Sequence, residues 1–125
     1  MQVPILKQGN YLIATIQSAL TDADLLELRD ELAGRVGRHR SLGVVVDVTA
    51  VDVIDSFSVR TLRAVVHMLK LRGAETVIVG IQPEVAFAMV QLGVILEKEA
   101  TALDLEEGLV YLDQKTKGSG RHGRR

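Results

Sequence analysis

Carboxylates and hydroxyls crowd one short stretch of this chain: Asp47, Asp52 and Asp55, then Ser56 and Ser58. Paired acids at the end of a strand are oxygen ligands for Mg²⁺, as in phosphoryl-transfer enzymes, so a small Mg-dependent α/β enzyme using Asp47, Asp52 and Asp55 is one reading. That chemistry also needs groups to hold a phosphate. The turns after Val48 and after Ile81 contain no glycine, so neither builds a Gly-rich phosphate loop. Turn formation and helix capping account for the same three aspartates without any metal.

The hydroxyl pair offers a different chemistry. Ser56 and Ser58 follow Asp55 in what reads as the first turn of a helix. A dianionic phosphate there would face unpaired backbone N–H groups and the positive end of the helix dipole, a placement worth on the order of 1 kcal/mol. Asp52 and Asp55 would repel the new charge, so a partner reading this corner would meet two very different surfaces in the two states. A serine beside an aspartate at a helix start is equally the pattern of a plain cap. His39, His67 and His122 lie far apart without metal-ligand spacing. The chain has no Cys, which removes disulfides, thiolate nucleophiles and sulfur-ligated metals.

The elements that must position this corner are legible in the apolar periodicity. Val3 to Lys7 and Tyr11 to Gln17 are β-prone runs around Gln8-Gly9-Asn10, whose Gly and Asn tolerate the positive φ of a hairpin turn. Thr21 or Asp22 caps a helix carrying Leu25, Leu28, Leu32 and Val36 and ending in the Gly34 to Gly37 region. Leu42 to Val48 is apolar without alternation, the pattern of a central strand covered on both faces. After the turn from Ala50 to Asp55, Val59, Leu62, Val65, Val66 and Leu69 recur at helical spacing until Arg72-Gly73. Thr76 to Ile81 is a further strand, and Pro83 opens a helix running to Leu92. Val94-Ile95-Leu96 is a candidate edge strand; Thr101 with Asp104 resembles a capping box before a last helix ending near Lys115. The order β-β-α-β-α-β-α-β-α predicts an α/β fold, a mostly parallel sheet with an N-terminal antiparallel strand and about four helices.

The chain has 125 residues, 47% apolar and 25% charged, which suits one globular domain over 1–115. Residues 116–125 form a basic Gly-, Ser- and Arg-rich tail, expected to be disordered. With aromatics at 3% and no Trp, nucleic-acid stacking is not expected. No run approaches a membrane span and the N-terminus lacks the pattern of a signal peptide, so a cytoplasmic location is expected. Surplus aliphatic surface predicts self-association.

The run Val46-Asp47-Val48-Thr49-Ala50-Val51-Asp52-Val53-Ile54-Asp55-Ser56-Phe57 resembles the signature of STAS domains, the anti-sigma-factor antagonist family. Val3 to Lys7, Lys70 to Ala74, Gly80 to Pro83 and Thr101 to Leu109 are similar to one branch, the RsbS-type scaffolds of the bacterial stressosome. The likeness covers residues 3 to 112. It implies a STAS fold and a non-catalytic phosphoprotein of bacterial stress signalling, without cofactor or metal. Such a protein co-assembles with a STAS-containing sensor paralogue, sequesters a serine protein kinase of the switch-kinase type, and releases it on phosphorylation. By position the phosphoacceptor carries over to Ser56, flanked by Asp52 and Asp55. Ser58 departs from the pattern and is the second choice. A STAS module that only packs against other STAS modules, its serines acting as caps, is the passive alternative.

Overall fold

The computed structural model describes residues 3–18, 20–93 and 101–123, with side chains described through Lys117. β1 (Ile5–Gln8) and β2 (Tyr11–Thr15) form the expected hairpin, paired antiparallel from Ile5 with Ala14 to Gln8 with Tyr11. Gly9 alone takes a positive φ, 60°, at the first of the two loop positions; Asn10 does not use the freedom its type allows. α1 (Asp22–His39), β3 (Gly43–Asp47), α2 (Ser56–Leu71), β4 (Glu75–Val79), α3 (Pro83–Gln91), β5 (Thr101–Ala102) and α4 (Leu105–Gly123) follow. The sheet order is β1-β2-β3-β4-β5, with every pair after the first parallel. The α/β fold class, the mixed sheet and the four helices among the described residues are those anticipated from the pattern.

The unbroken apolar run of β3 is covered on both sides. Val44 and Val46 join Leu12, Ala14 and Ile78 beneath Leu32 of α1 and Leu62 and Leu69 of α2. Val45 faces the other way, with Ile13, Val77 and Val79 beneath Leu112 of α4. α3 leans on the start of α2 through Val59, Val85 and Met89. Each fully buried Leu or Val contributes about 1.5–3 kcal/mol of transfer free energy, so the sheet is held mainly by these two aliphatic layers, with the rings of Tyr11 and Tyr111 packed against the second.

Three boundaries differ from the sequence reading. Thr21 caps α1 in a reciprocal box with Asp24, but the helix passes through Gly34 and Gly37 to His39, and Arg40, at φ 51°, ends it. Gly37 serves packing rather than termination: a Cβ there would stand 2.7 Å from the Arg72 guanidinium of the neighbouring helix. At the other end, Thr101 belongs to β5, so the helix signal lies three residues later. Asp104 accepts from the Glu107 N–H at 2.9 Å, and Glu107 accepts from the Leu103 N–H at 2.9 Å. The candidate strand Val94-Ile95-Leu96 lies outside the described residues.

The last helix does not stop at Lys115. The Thr116 hydroxyl donates to the Leu112 carbonyl at 2.8 Å and lies 3.1 Å from the Tyr11 hydroxyl, while Lys117 pairs with Asp113 at 3.1 Å. These contacts carry α4 beyond the expected boundary, and its backbone is helical to Gly123. No helix among the described residues is long and apolar enough to cross a membrane.

Candidate functional site: the corner between the third strand and the second helix

The corner is built by hydrogen bonds from its two ends. Asp47, at the end of β3, uses one carboxylate oxygen to accept both the Thr49 N–H (2.9 Å) and the Thr49 hydroxyl (2.6 Å). The Val51 N–H then closes on the Val48 carbonyl at 2.9 Å. The Gln82 side-chain amide reaches across from the start of α3 to donate to the Thr49 carbonyl at 2.6 Å. Gly80 makes this clamp possible. Its φ of 79° disfavours any L side chain, and a Cβ there would overlap the Thr49 hydroxyl.

At the far end Asp55 is the N-cap of α2, its backbone extended and its carboxylate accepting the Ser58 N–H at 2.8 Å. That N–H, and after it the Ser58 hydroxyl, hold the Asp55 carboxyl below its ordinary value, because both hydrogen bonds favour the charged form. Ser58 is thereby committed to the cap. It also lines an apolar cavity of about 110 Å³ under the corner, shared with Val51, Ile54, Leu62 and Met89.

Ser56 occupies the first helical position and is half-buried. Among the described residues no hydrogen bond engages its hydroxyl. Val53 (68% exposed) and Phe57 (37% exposed) flank it on the surface, an apolar rim that the spacing of the acids gave no reason to expect. Asp52 is exposed nearby.

Asp47, Asp52 and Asp55 are not gathered into one metal-holding group. Among the described residues, no set of three or more His, Asp or Glu could share an ion. Asp47 is turned to Thr49 and Asp55 to Ser58, the turn-and-cap roles open to them in the sequence. His39 ends α1 and His67 lies on the exposed face of α2, so neither approaches the corner. Thr49, Gly80 and Gln82 were missed as positioning residues; the contact joins segments 33 residues apart and leaves no local signal.

A hairpin, parallel strands alternating with helices and an acidic turn opening a central helix define a STAS-type α/β domain. The family model for the STAS domain matches residues 2–107, and the chain belongs to that family. Among solved structures it is similar to RsbS of Moorella thermoacetica carrying a serine-to-glutamate substitution. The two share 32% identity and a TM-score of 0.81, over 92% of this chain and 97% of that one. It is also similar to a chain of the stressosome, described as a signal integration and transduction hub, at 33% identity and a TM-score of 0.76, over 90% of this chain and 98% of that one. The RsbT co-antagonist protein RsbRA of Bacillus subtilis (strain 168) is 32% identical over 82 residues, 66% of this chain and 30% of that protein. The chain thus spans under a third of the length of that relative.

Proposed function

We propose that this chain is a non-catalytic scaffold of bacterial stress signalling, an antagonist that co-assembles with a STAS-containing sensor paralogue in a large cytoplasmic assembly. In that assembly it sequesters a serine protein kinase of the switch-kinase type and releases it when phosphorylated on Ser56. The observation that carries the reading is the division of labour between two serines of one helical turn. Ser58 is taken up by the Asp55 cap, whereas the Ser56 hydroxyl has no partner among the described residues and stands beside an exposed apolar rim.

The similarity to RsbS and to a stressosome chain supports the scaffold role, and the similarity to RsbRA supports a paralogous partner. The substitution carried by the Moorella relative is the replacement that imitates the charge of a phosphoserine, which agrees with a serine switch in this family branch. Phosphate at Ser56 would lie at the N-terminus of α2, where the helix dipole favours it, and within reach of the charges of Asp52 and Asp55, which do not. The fold need not change for a partner to sense the difference.

Incubation with a cognate switch kinase and ATP, followed by mass-spectrometric mapping, tests the reading. Phosphate on Ser56, with kinase binding lost in Ser56→Asp and kept in Ser56→Ala, is the expected result. A kinase shown to be active elsewhere that incorporates none here would leave the passive packing module.

A further inference from the structure

Beneath the corner the first face of the sheet is not filled. The cavity there, about 110 Å³, lies between the first turns of α1, α2 and α3 and is bounded by the loop from Val48 to Asp55. Its inner wall includes Val48, Leu62, Ile78 and Val85, all buried, while Ser18, Val53 and Asp55 line it from the exposed surface. Apart from Ser18, Asp55 and Ser58, every lining residue is Val, Leu, Ile or Met. Protein interiors pack to the density of organic crystals, with few voids larger than a water molecule. This one has room for several waters at about 30 Å³ each, yet a water needs about two to four polar partners and the inner wall is hydrocarbon. Bulk is not in short supply: Phe57 and Phe87 stand 37% and 65% exposed at the surface while valines line the cavity.

We propose that this cavity is a binding site for a small molecule with a hydrocarbon body no larger than benzene and one hydrogen-bond donor, a hydroxyl or an amine, at its end. An apolar cavity of about 150 Å³ takes benzene or xenon, which sets the size. The hydrocarbon fills the space along the inner wall, and the donor stays at the mouth. There Ser58 gives its hydroxyl proton to the Asp55 carboxylate, and both oxygens retain lone pairs that accept from the ligand. An anionic head would meet the Asp55 charge and lose its water besides, so acids are excluded. A partner's side chain of the same bulk would bring its backbone over the Asp55 carboxylate and strip it of water; a small molecule leaves that group hydrated.

Occupancy reaches the corner itself. The Val51 N–H closes on the Val48 carbonyl at 2.9 Å and the Ser58 N–H on the Asp55 carboxylate at 2.8 Å, and all four residues line the cavity. A ligand that binds only when the loop is closed over it stabilises that closed form by mass action. The segment that carries Ser56 is therefore stiffer in the bound protein. The inference goes beyond the function above and stands whether or not Ser56 is phosphorylated.

The test is a titration of the whole chain with butan-1-ol followed by methyl NMR, with butyrate and glycerol as controls of similar size that change the charge or the polarity. Saturable shifts are expected at the methyls of Leu25, Leu62 and Val85 and not at Val77 or Leu112 on the other face of the sheet. Butyrate and glycerol should bind roughly tenfold more weakly or worse, and exchange at the Val51 and Ser58 amides should slow several-fold with butan-1-ol bound. Val48→Ile and Val85→Leu each occupy part of the space. Either variant, shown folded by circular dichroism, should bind butan-1-ol roughly tenfold more weakly without the drop in melting temperature that added bulk causes in a filled core. Shifts that fail to saturate or spread over both faces, butyrate binding as well as butan-1-ol, or filled variants that bind like the wild type would each overturn the site. So would a lower melting temperature in both variants, which would mean that the space is not there.

Discussion

The Asp55 carboxylate accepts the Ser58 N–H at 2.8 Å, and the serine enclosed between these two residues, Ser56, is the one the cap does not engage. Residues at the first and third positions of a helix point about 200° apart, so the hydroxyls of Ser56 and Ser58 do not present the same surface. Ser58 turns toward the apolar cavity with Leu62 and Met89, and Ser56 remains beside Val53 and Phe57. The first prediction follows. Ser58→Ala should remain a kinase substrate at near wild-type rate, whereas Ser56→Ala, which lacks the hydroxyl that takes the phosphate, should lose nearly all incorporation. Rates of incorporation from radiolabelled ATP decide between them.

The cap also sets a pH dependence. Hydrogen bonds from Ser58 lower the Asp55 carboxyl pKa in the folded state, and the hydrogen bond from Arg35 lowers that of Glu31. A depressed folded pKa contributes stability above the unfolded value, about 3.9 for Asp, and that stability is lost as pH falls through the folded value. Asp55→Asn keeps an acceptor for the Ser58 N–H but cannot ionise. Its melting temperature should fall below that of the wild type at neutral pH, and the gap should close as the solution is acidified past the usual carboxylate range. Melts across that range check the sign; a gap that widened in acid would contradict the cap.

Gly80 governs the opposite end of the corner. An alanine there must adopt a φ of 79° and drive its methyl into the Thr49 hydroxyl, which also answers to Asp47. Strain at such a position costs of order 1–3 kcal/mol. We expect Gly80→Ala to destabilise the domain by about that amount and to free the loop between Val48 and Asp55 before the rest unfolds, because the clamp from Gln82 to the Thr49 carbonyl depends on the same approach. Chemical denaturation gives the first quantity, and hydrogen exchange at Thr49 and Val51 the second. Equal protection in the variant would mean the clamp does not depend on Gly80.

These residues also mark where sequence reasoning stops. The two-sided burial of β3 was legible because Val44, Val45 and Val46 show no alternation, and α2 because Asp55 and Gly73 bracket its apolar repeat. The end of α1 was not, because Gly37 meets Arg72, a contact between helices that no local rule anticipates. The start of α4 was misplaced because Thr101 and Asp104 have the cap spacing, yet pairing of Thr101 with Ile78 claims the threonine for the sheet. At the site, the residue types and the cap were readable. The inequality of Ser56 and Ser58, and the Thr49–Gln82 clamp, required the fold to bring distant segments together.

Tyr11 ties the first strands to the last helix. Its hydroxyl donates to Asp113 at 3.3 Å and lies 3.1 Å from Thr116, both beyond the apolar repeat that ends at Leu112. Its ring packs with Leu109 and Leu112 on the second face of the sheet, so Tyr11→Phe keeps the packing and removes only the polar tip. A part-buried hydrogen bond of this kind contributes about 0.5–1.5 kcal/mol. The loss should fall on the end of α4 rather than on the core: exchange at Thr116 and Lys117 should rise several-fold while Val45 and Val77 stay protected. Uniform loss of protection across the sheet would show instead that this end of the helix is integral to the whole fold, and unchanged exchange that α4 persists past Lys115 without Tyr11.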